Sequence, residues 1–381
     1  MSNVFQDAIR NFLGPINDLL DDEEVSEVMI NGYQEIFVER KGLVFRVENT
    51  FPNEDALIAA VRSIAQSVGR VFDNDNPRLD ARLPDGSRIH AVLPPMARKG
   101  TTMAIRKFSE EKLTLNDLIN FGSMSKDGAR FLDICVYLGK NLIVSGGTGS
   151  GKTTMLNVLG GRIPSTQRLL IIEDAAELQI HTEHVVNFET RKADPTKGLT
   201  EVTIRDLVES SLRLRPDRVI VGEVRGTEAL DLINAMSTGH DGSMGTVHAN
   251  NPTDACTRLE TLCLMGETKI PPDAIRKMIG SAMQVIVQCS RYHDGGRRTS
   301  HISEILGLDS DGNYISRDIF RWVQTGKDPE TGKYIGEMVP CNYVPTFFQD
   351  IVVNKLPFPK SKFLAPDWAK PILAKDKKEA A

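Results

Sequence analysis

Gly146-Gly147-Thr148-Gly149-Ser150-Gly151-Lys152-Thr153 satisfies the pattern G-x-x-x-x-G-K-[ST] in full. A loop of this composition bends around an anion and presents successive backbone N–H groups to it, and glycines keep side chains out of the way. Lys152 then places a point charge on the β- and γ-phosphates of a nucleotide, and the Thr153 hydroxyl ligates Mg²⁺. Gly147 to Gly151 and Thr154 complete the expected nucleotide-contacting set. Asn141 to Ser145 reads as an apolar strand directly before the loop, and Met155, Leu156, Val158 and Leu159 as a helix directly after it. ATP and Mg²⁺ are the expected cofactors.

Outward from the loop, short β-rich runs alternate with helical ones: Leu142 to Val144, Leu169 to Ile172, Val219 to Val221, Thr246 to His248 and Val285 to Val287. That alternation predicts an α/β core over residues 111–310, a mainly parallel sheet with helices on both faces. Upstream, residues 27–110 read as a smaller α+β domain. Its strands are expected at Val28 to Ile30, Ile36 to Val38, Arg78 to Leu83, Ile89 to Leu93 and Thr102 to Ile105. Its helix carries Ala56, Leu57, Ala60, Val61, Ile64 and Ala65 at i, i+3 and i+4 spacing. Residues 1–26 form an expected helical leader. The proline-punctuated stretch 311–381 is expected to be a C-terminal extension whose last ~20 residues are disordered.

Hydrolysis of a nucleotide also needs a carboxylate on a strand beside the cradle, to hold Mg²⁺ or position the attacking water. Two places offer one. Glu173 and Asp174 follow the run Leu169 to Ile172, and Glu223 follows Val219 to Val221. An equally simple reading makes Asp174 and Glu177 helix-entry acids favoured by the dipole. In Thr238 to Ala249, His248 or His240 could sense a γ-phosphate by hydrogen bonding, although a lone histidine is more often structural. His181 and His184 read as a solvated pair. Asp73 to Pro77 begins like a calcium loop but lacks its glycine and terminal glutamate, and Arg291 to Arg298 reads as a turn between strands with basic flanks.

The whole chain narrows the class. Its 381 residues exceed one ordinary domain, and a net charge of −5 spread along the sequence gives no electrostatic case for nucleic acid. Five cysteines, scattered and never in C-x-x-C pairs, argue against a disulfide framework and against zinc. The first residues lack the order of a signal peptide, and no apolar run approaches the ~18 residues that span a bilayer. A cytoplasmic location is expected.

Taken together, these residues resemble the secretion-ATPase superfamily of type II and type IV secretion and type IV pili. The likeness runs from Glu27 to Leu308 and looks closest to the CpaF group of tight-adherence (Flp-type) pili. It rests on ordered blocks: Arg82 to Arg88, Ile105 to Phe108, the cradle, Ile172 to Leu178, Glu201 to Leu207, Leu214 to Arg225 and Thr238 to Asn250. The resemblance implies a RecA-like P-loop core and a hexamer. It makes Ile172 to Leu178 the Asp box, Leu214 to Arg225 the Walker B region and Thr238 to Asn250 the His box, with His248 functional. It implies hydrolysis assisted by Glu223 or Glu173, Glu223 holding Mg²⁺ directly or through water. Arg106 is expected to touch phosphate from the N-terminal domain, and Arg213 and Arg215 to reach a neighbouring subunit's nucleotide. Inner-membrane platform proteins are the implied partners, which would hold the ATPase peripherally at that membrane. The cysteine-rich insertion of many type II secretion ATPases is absent, and a short leader leaves type IV secretion of effectors or DNA open. A nucleotide-gated scaffold with little turnover, a small-molecule phosphotransferase and a DNA translocase are the rival classes.

Overall fold

The computed structural model describes residues 10–83, 85–108, 113–193, 198–266 and 269–379, without the side chains of 375–379. It divides into two compact units, Met1–Glu111 and Lys112–Ala381.

The first unit holds helix α1 (Asn17–Asp21), strands β1 (Val25–Asn31), β2 (Ile36–Arg40) and β3 (Leu43–Val47), helix α2 (Glu54–Ser67), and strands β4 (Arg78–Arg82), β5 (Arg88–Val92) and β6 (Thr102–Arg106). The strands form one antiparallel sheet in the order β3-β2-β1-β6-β5-β4. Asn53 caps α2 by accepting from the Ala56 N–H, and the periodic face read from sequence, Leu57 to Ala65, is buried on the sheet. The described part of the leader is not separate from this core: Leu13, Ile16 and Leu19 are buried in it, while residues 1–9 lie outside the described residues. Strand β3 escaped the sequence reading because Leu43, Val44 and Phe45 are all exposed and no buried–exposed alternation marks it.

The second unit opens with α3 (Leu115–Asn120), α4 (Lys126–Tyr137), β7 (Leu142–Gly146) and α5 (Lys152–Gly160). There follow β8 (Leu169–Glu173), β9 (Val185–Glu189), α6 (Ile204–Ser211), β10 (Arg218–Val221), α7 (Glu228–Ser237) and β11 (Met244–Val247). Then come α8 (Pro252–Leu264), α9 (Pro272–Ala282), β12 (Val285–Arg291), β13 (Arg297–Leu308), β14 (Tyr314–Lys327), β15 (Tyr334–Pro340), α10 (Phe348–Val353) and α11 (Lys370–Glu379). The sheet order is β15-β14-β13-β12-β7-β11-β10-β8-β9. From β12 to β9 every neighbouring pair is parallel, and from β12 to β15 every pair is antiparallel.

Alternating residues of the parallel strands enter two different cores. Leu142 and Val144 pack with Phe131, Leu132 and Leu156 on one face, while Ile143 packs with Leu232, Leu259 and Ile279 on the other. Helices therefore cover both faces, and the strands read as continuous apolar runs for that reason. The register pairs Thr246 with Val144 and Val221 with Gly245 and Ile172, so the carboxyl ends of β7, β11, β10 and β8 lie in one row. Ligands of open parallel sheets bind at such a row.

Residues 311–379 do not stand apart as an extension. Strands β14 and β15 continue the sheet, and Phe131 of α4 sits among the rings of Phe320, Phe347, Phe358 and Phe363. Glu304, 2% exposed on β13, accepts from the Tyr343 hydroxyl at 2.6 Å and from the Thr346 N–H, which ties the following segment to the sheet. About half of the stretch expected to be disordered is helix α11; Ala380 and Ala381 lie outside the described residues.

Candidate active site

The cradle begins where β7 ends. The loop turns through Gly149 (φ +67) and Gly151 (φ +94), and Gly151 caps α5, whose first residue is Lys152. Left-handed backbone at both positions is the conformational reason for glycine. Gly146 is glycine for space as well, since a Cβ there would stand 2.3 Å from the Cys289 carbonyl oxygen on the adjacent β12. At Gly147 and Gly151 an added Cβ would meet nothing within 4 Å, so both positions border open space. Ser150 Oγ and Lys152 Nζ each donate to the Gly147 carbonyl at 2.9 Å, which braces the loop around the positive end of α5.

A chain of side chains leads away from Lys152. Its Nζ lies 3.4 Å from His248 Nε2, His248 Nε2 lies 2.9 Å from Glu223 Oε1, and Glu223 Oε2 accepts from Arg225 Nη2. Glu223 follows β10 and His248 follows β11, and the two strand ends are stitched together. Thr246 Oγ1 donates to the Gly222 carbonyl at 2.7 Å and the Val224 N–H to the Thr246 carbonyl at 2.8 Å. Burial disfavours charge on Glu223, but the Arg225 hydrogen bond and the positive charges around it outweigh burial and hold the carboxyl below its usual range. Burial and the neighbouring Lys152 charge push the His248 imidazole below its usual 6.5, against the pull of Glu223. His248 is thus neutral at neutral pH, and the tautomer with its proton on Nε2 satisfies the carboxylate.

Glu173, the last residue of β8, is only 4% exposed. Its Oε1 accepts the N–H groups of Glu177 and Leu178 at 2.8 and 2.9 Å, so this carboxylate shapes the 174–178 loop. No helix starts there, which removes the helix-entry reading of Asp174 and Glu177. Asp174 instead accepts from Thr190 Oγ1 at 2.8 Å and lies 4.0 Å from Arg225.

Other expected residues are placed elsewhere. Arg213 and Arg215 are exposed and precede β10, at the opposite end of the strand from Glu223. Through the strand register, residue 218 stands level with about residue 140 of β7's approach, on the order of 20 Å from the cradle along the strand direction. Neither arginine reaches its own chain's cradle. His240 sits at that same far end, before β11, and His184 contacts Arg168. Arg106 closes β6 in the first unit, 3.9 Å from Glu27. Thr153 and Thr154 are half-buried in the first turn of α5.

Two residues that the sequence reading passed over join the site. Gln288 on β12 accepts from Ser145 Oγ and donates to the Ala249 carbonyl at 3.1 Å, pinning the residue after His248 to the end of β7. Arg291, at the end of β12, brings Nη1 within 3.1 Å of where a Gly149 Cβ would stand. Its hairpin is rigid: Asp294 pairs with Arg298 at 2.7 Å, and the Arg298 guanidinium lies over the rings of Tyr292 and Trp322. Only the strand order reveals that β12 borders the cradle, and no local pattern carries that information. Among the described residues no group of three or more His, Cys, Asp or Glu gathers to hold a metal by itself.

Comparison with known proteins gives this geometry a family. Residues 10–296 match the family described as Type II/IV secretion system protein. The Type IV secretion system protein VirB11 of Brucella suis is 34% identical over 328 residues, covering 78% of this chain and 90% of that one. An uncharacterized protein of Methanocaldococcus jannaschii is 45% identical over 238 residues, 61% of this chain, and the match spans only 33% of that longer protein. The crystal structure of the pilus retraction motor PilT with bound ADP superposes with a TM-score of 0.50 at 18% identity, over 91% of this chain and 86% of that one. That likeness shows the fold, a RecA-like core preceded by a smaller domain. The chain belongs to the Type II/IV secretion system protein family and is an ATP-hydrolysing member of it.

Proposed function

We propose that the chain is a hexameric motor that couples ATP hydrolysis to building or retracting a type IV or tight-adherence pilus, held at the inner membrane by platform proteins. The observation that carries the hydrolytic part is the gathering of Lys152, His248, Glu223 and Arg225 beside the glycine loop.

The residues fit a nucleotide with its metal. The loop is open at Gly147 and Gly151, Lys152 and the α5 N-terminus supply positive potential, and the Thr153 hydroxyl with the ionised Glu223 supplies oxygen donors. Mg²⁺ held there by Thr153 and Glu223 would supply charge neutralisation to the nucleotide's phosphates. Lys152 exchanges the Gly147 carbonyl for phosphate oxygens. Glu223, ionised and fixed by Arg225, orients a water and takes its proton. His248, neutral and hydrogen-bonded to that carboxylate, reports the state of the γ-phosphate to the β11 end. Glu173 holds the adjoining loop in place.

Arg213 and Arg215 support the ring. Exposed and far from their own cradle, they complete a site only by serving a neighbour, and such a head-to-tail contact closes into a cycle. A second reading, export through a type IV secretion machine, draws its support from the VirB11 likeness.

The test is phosphate release across a protein concentration series with molar mass read by light scattering. Turnover is expected to rise as a six-fold mass appears, to ignore added DNA, and to vanish in Lys152→Ala. A monomer that hydrolyses equally well would remove the ring, and binding without phosphate release would leave a scaffold.

A further inference from the structure

We infer that the segment 348–379 is a docking surface for a membrane rich in anionic lipid, and that it acts independently of nucleotide turnover. Its inner side is settled by packing. Ile351, Phe358 and Phe363 enter the main core, and Ala365, Ala369 and Leu373 pack on Val323, Val339 and Cys341 of the sheet's antiparallel end.

Its outer side is apolar as well. Leu364, Trp368 and Ile372 each precede one of those inward residues, at four-residue spacing, and are 62%, 42% and 38% exposed. Val352 and Val353 of α10 add 50% and 67%. Single exposed apolar residues are ordinary, but a tryptophan and four aliphatic residues within 21 positions are not scattered.

Charge selects the occupant. Residues 348–379 carry seven lysines against three aspartates and one glutamate, a net +3 in a chain whose total is −5. An exposed apolar stripe with a tryptophan in a lysine-rich segment is the composition that seats at a headgroup layer. A lysine cluster on such a surface is drawn to anionic lipid. The same face of a second copy would be repelled by like charge. Lys362 pairs with Asp127 at 3.0 Å and Lys370 with Asp367 at 2.6 Å, both exposed pairs that screen easily.

The experiment is flotation of the full chain with vesicles of phosphatidylcholine alone or mixed with phosphatidylglycerol, at low and high salt. Tryptophan emission is followed in parallel, because Trp368 is exposed while Trp322, the only other tryptophan, is buried. Binding is expected only with phosphatidylglycerol, with a blue shift of emission and loss at high salt. Trp368→Ser should abolish the shift, and Lys360→Glu with Lys370→Glu should weaken flotation about tenfold or more, with phosphate release in solution unchanged in both variants. Failure to float with any vesicle, or flotation that none of these substitutions alters, would overturn the inference. So would a lipid-free rise in molar mass that Trp368→Ser abolishes, since a second copy would then cover the face.

Discussion

Glu223 and His248 meet across the ends of two adjacent parallel strands, carboxylate Oε1 2.9 Å from imidazole Nε2. Each follows its strand by one or two residues, so the register of β10 and β11 sets their separation. The carboxylate's other oxygen is held by Arg225, which leaves an anion fixed at both ends beside the cradle.

Glu223→Gln keeps the shape and the hydrogen-bonding length but removes the basic oxygen. Phosphate release should fall by about 10²- to 10⁴-fold while nucleotide affinity stays within a fewfold. Rapid-mix phosphate assays beside equilibrium nucleotide binding check this. Equal loss of both would mean that the residue serves binding alone.

The acid limb of the pH profile belongs to His248. Its imidazole is held below 6.5 by burial and by Lys152, so it is neutral near pH 7 and gains a proton only as pH falls beneath that value. The proton would place a cation beside Glu223 and lower the basicity of that carboxylate. Turnover should be level from pH 7 upward and fall below pH 6.5, and His248→Gln should flatten that limb. The folded state resists protonation here, so this group's contribution to stability also declines as pH drops from 6.5 toward its lowered value.

Arg291 borders the loop at Gly149 from a rigid hairpin. Arg291→Ala should raise KM for ATP by about three- to tenfold with little change in kcat, the pattern of lost uniform binding. A steady-state series in ATP separates the two. A fall in kcat at unchanged KM would place the guanidinium in the chemistry.

What could be read in advance follows the locality of each signal. The cradle, Glu223 and His248 announce themselves because the glycines, the strand and the polar residue lie within a few positions of one another. Arg225 belongs to the same sequence block, but its grip on Glu223 is a side-chain geometry that spacing does not encode. Gln288 and Arg291 reach the site through β12, more than 130 residues after the loop in sequence and next to it in the sheet. Strands β14 and β15 were lost among prolines and Asp-Gly turns, although Trp322 and Phe320 on β14 are core residues.

Gly242 has a steric duty beside the far end of that sheet. Its φ is +81, and a Cβ would stand 2.5 Å from Nη1 of Arg218, a side chain 1% exposed with no room to retreat. Gly242→Ala should cost about 2–4 kcal/mol from strain and overpacking together. Urea unfolding followed by circular dichroism reads that cost. An unchanged midpoint would mean that Arg218 swings out.

The placement of Arg213 and Arg215 makes a prediction that no single variant can test. Lys152→Ala spoils the cradle of its own subunit but leaves its arginines intact; Arg213→Ala with Arg215→Ala spoils the arginines but leaves the cradle intact. Each protein alone should be nearly inactive. If an arginine serves the neighbouring site, a mixed ring contains junctions where an intact cradle faces intact arginines, and random mixing makes about a quarter of all junctions complete. Mixing the two inactive proteins should therefore restore phosphate release to a measurable fraction of the parent's. If the arginines act within their own chain, no junction is complete and the mixture stays as inactive as its parts. The far-end position of both residues, about six strand steps from the glycine loop, favours recovery.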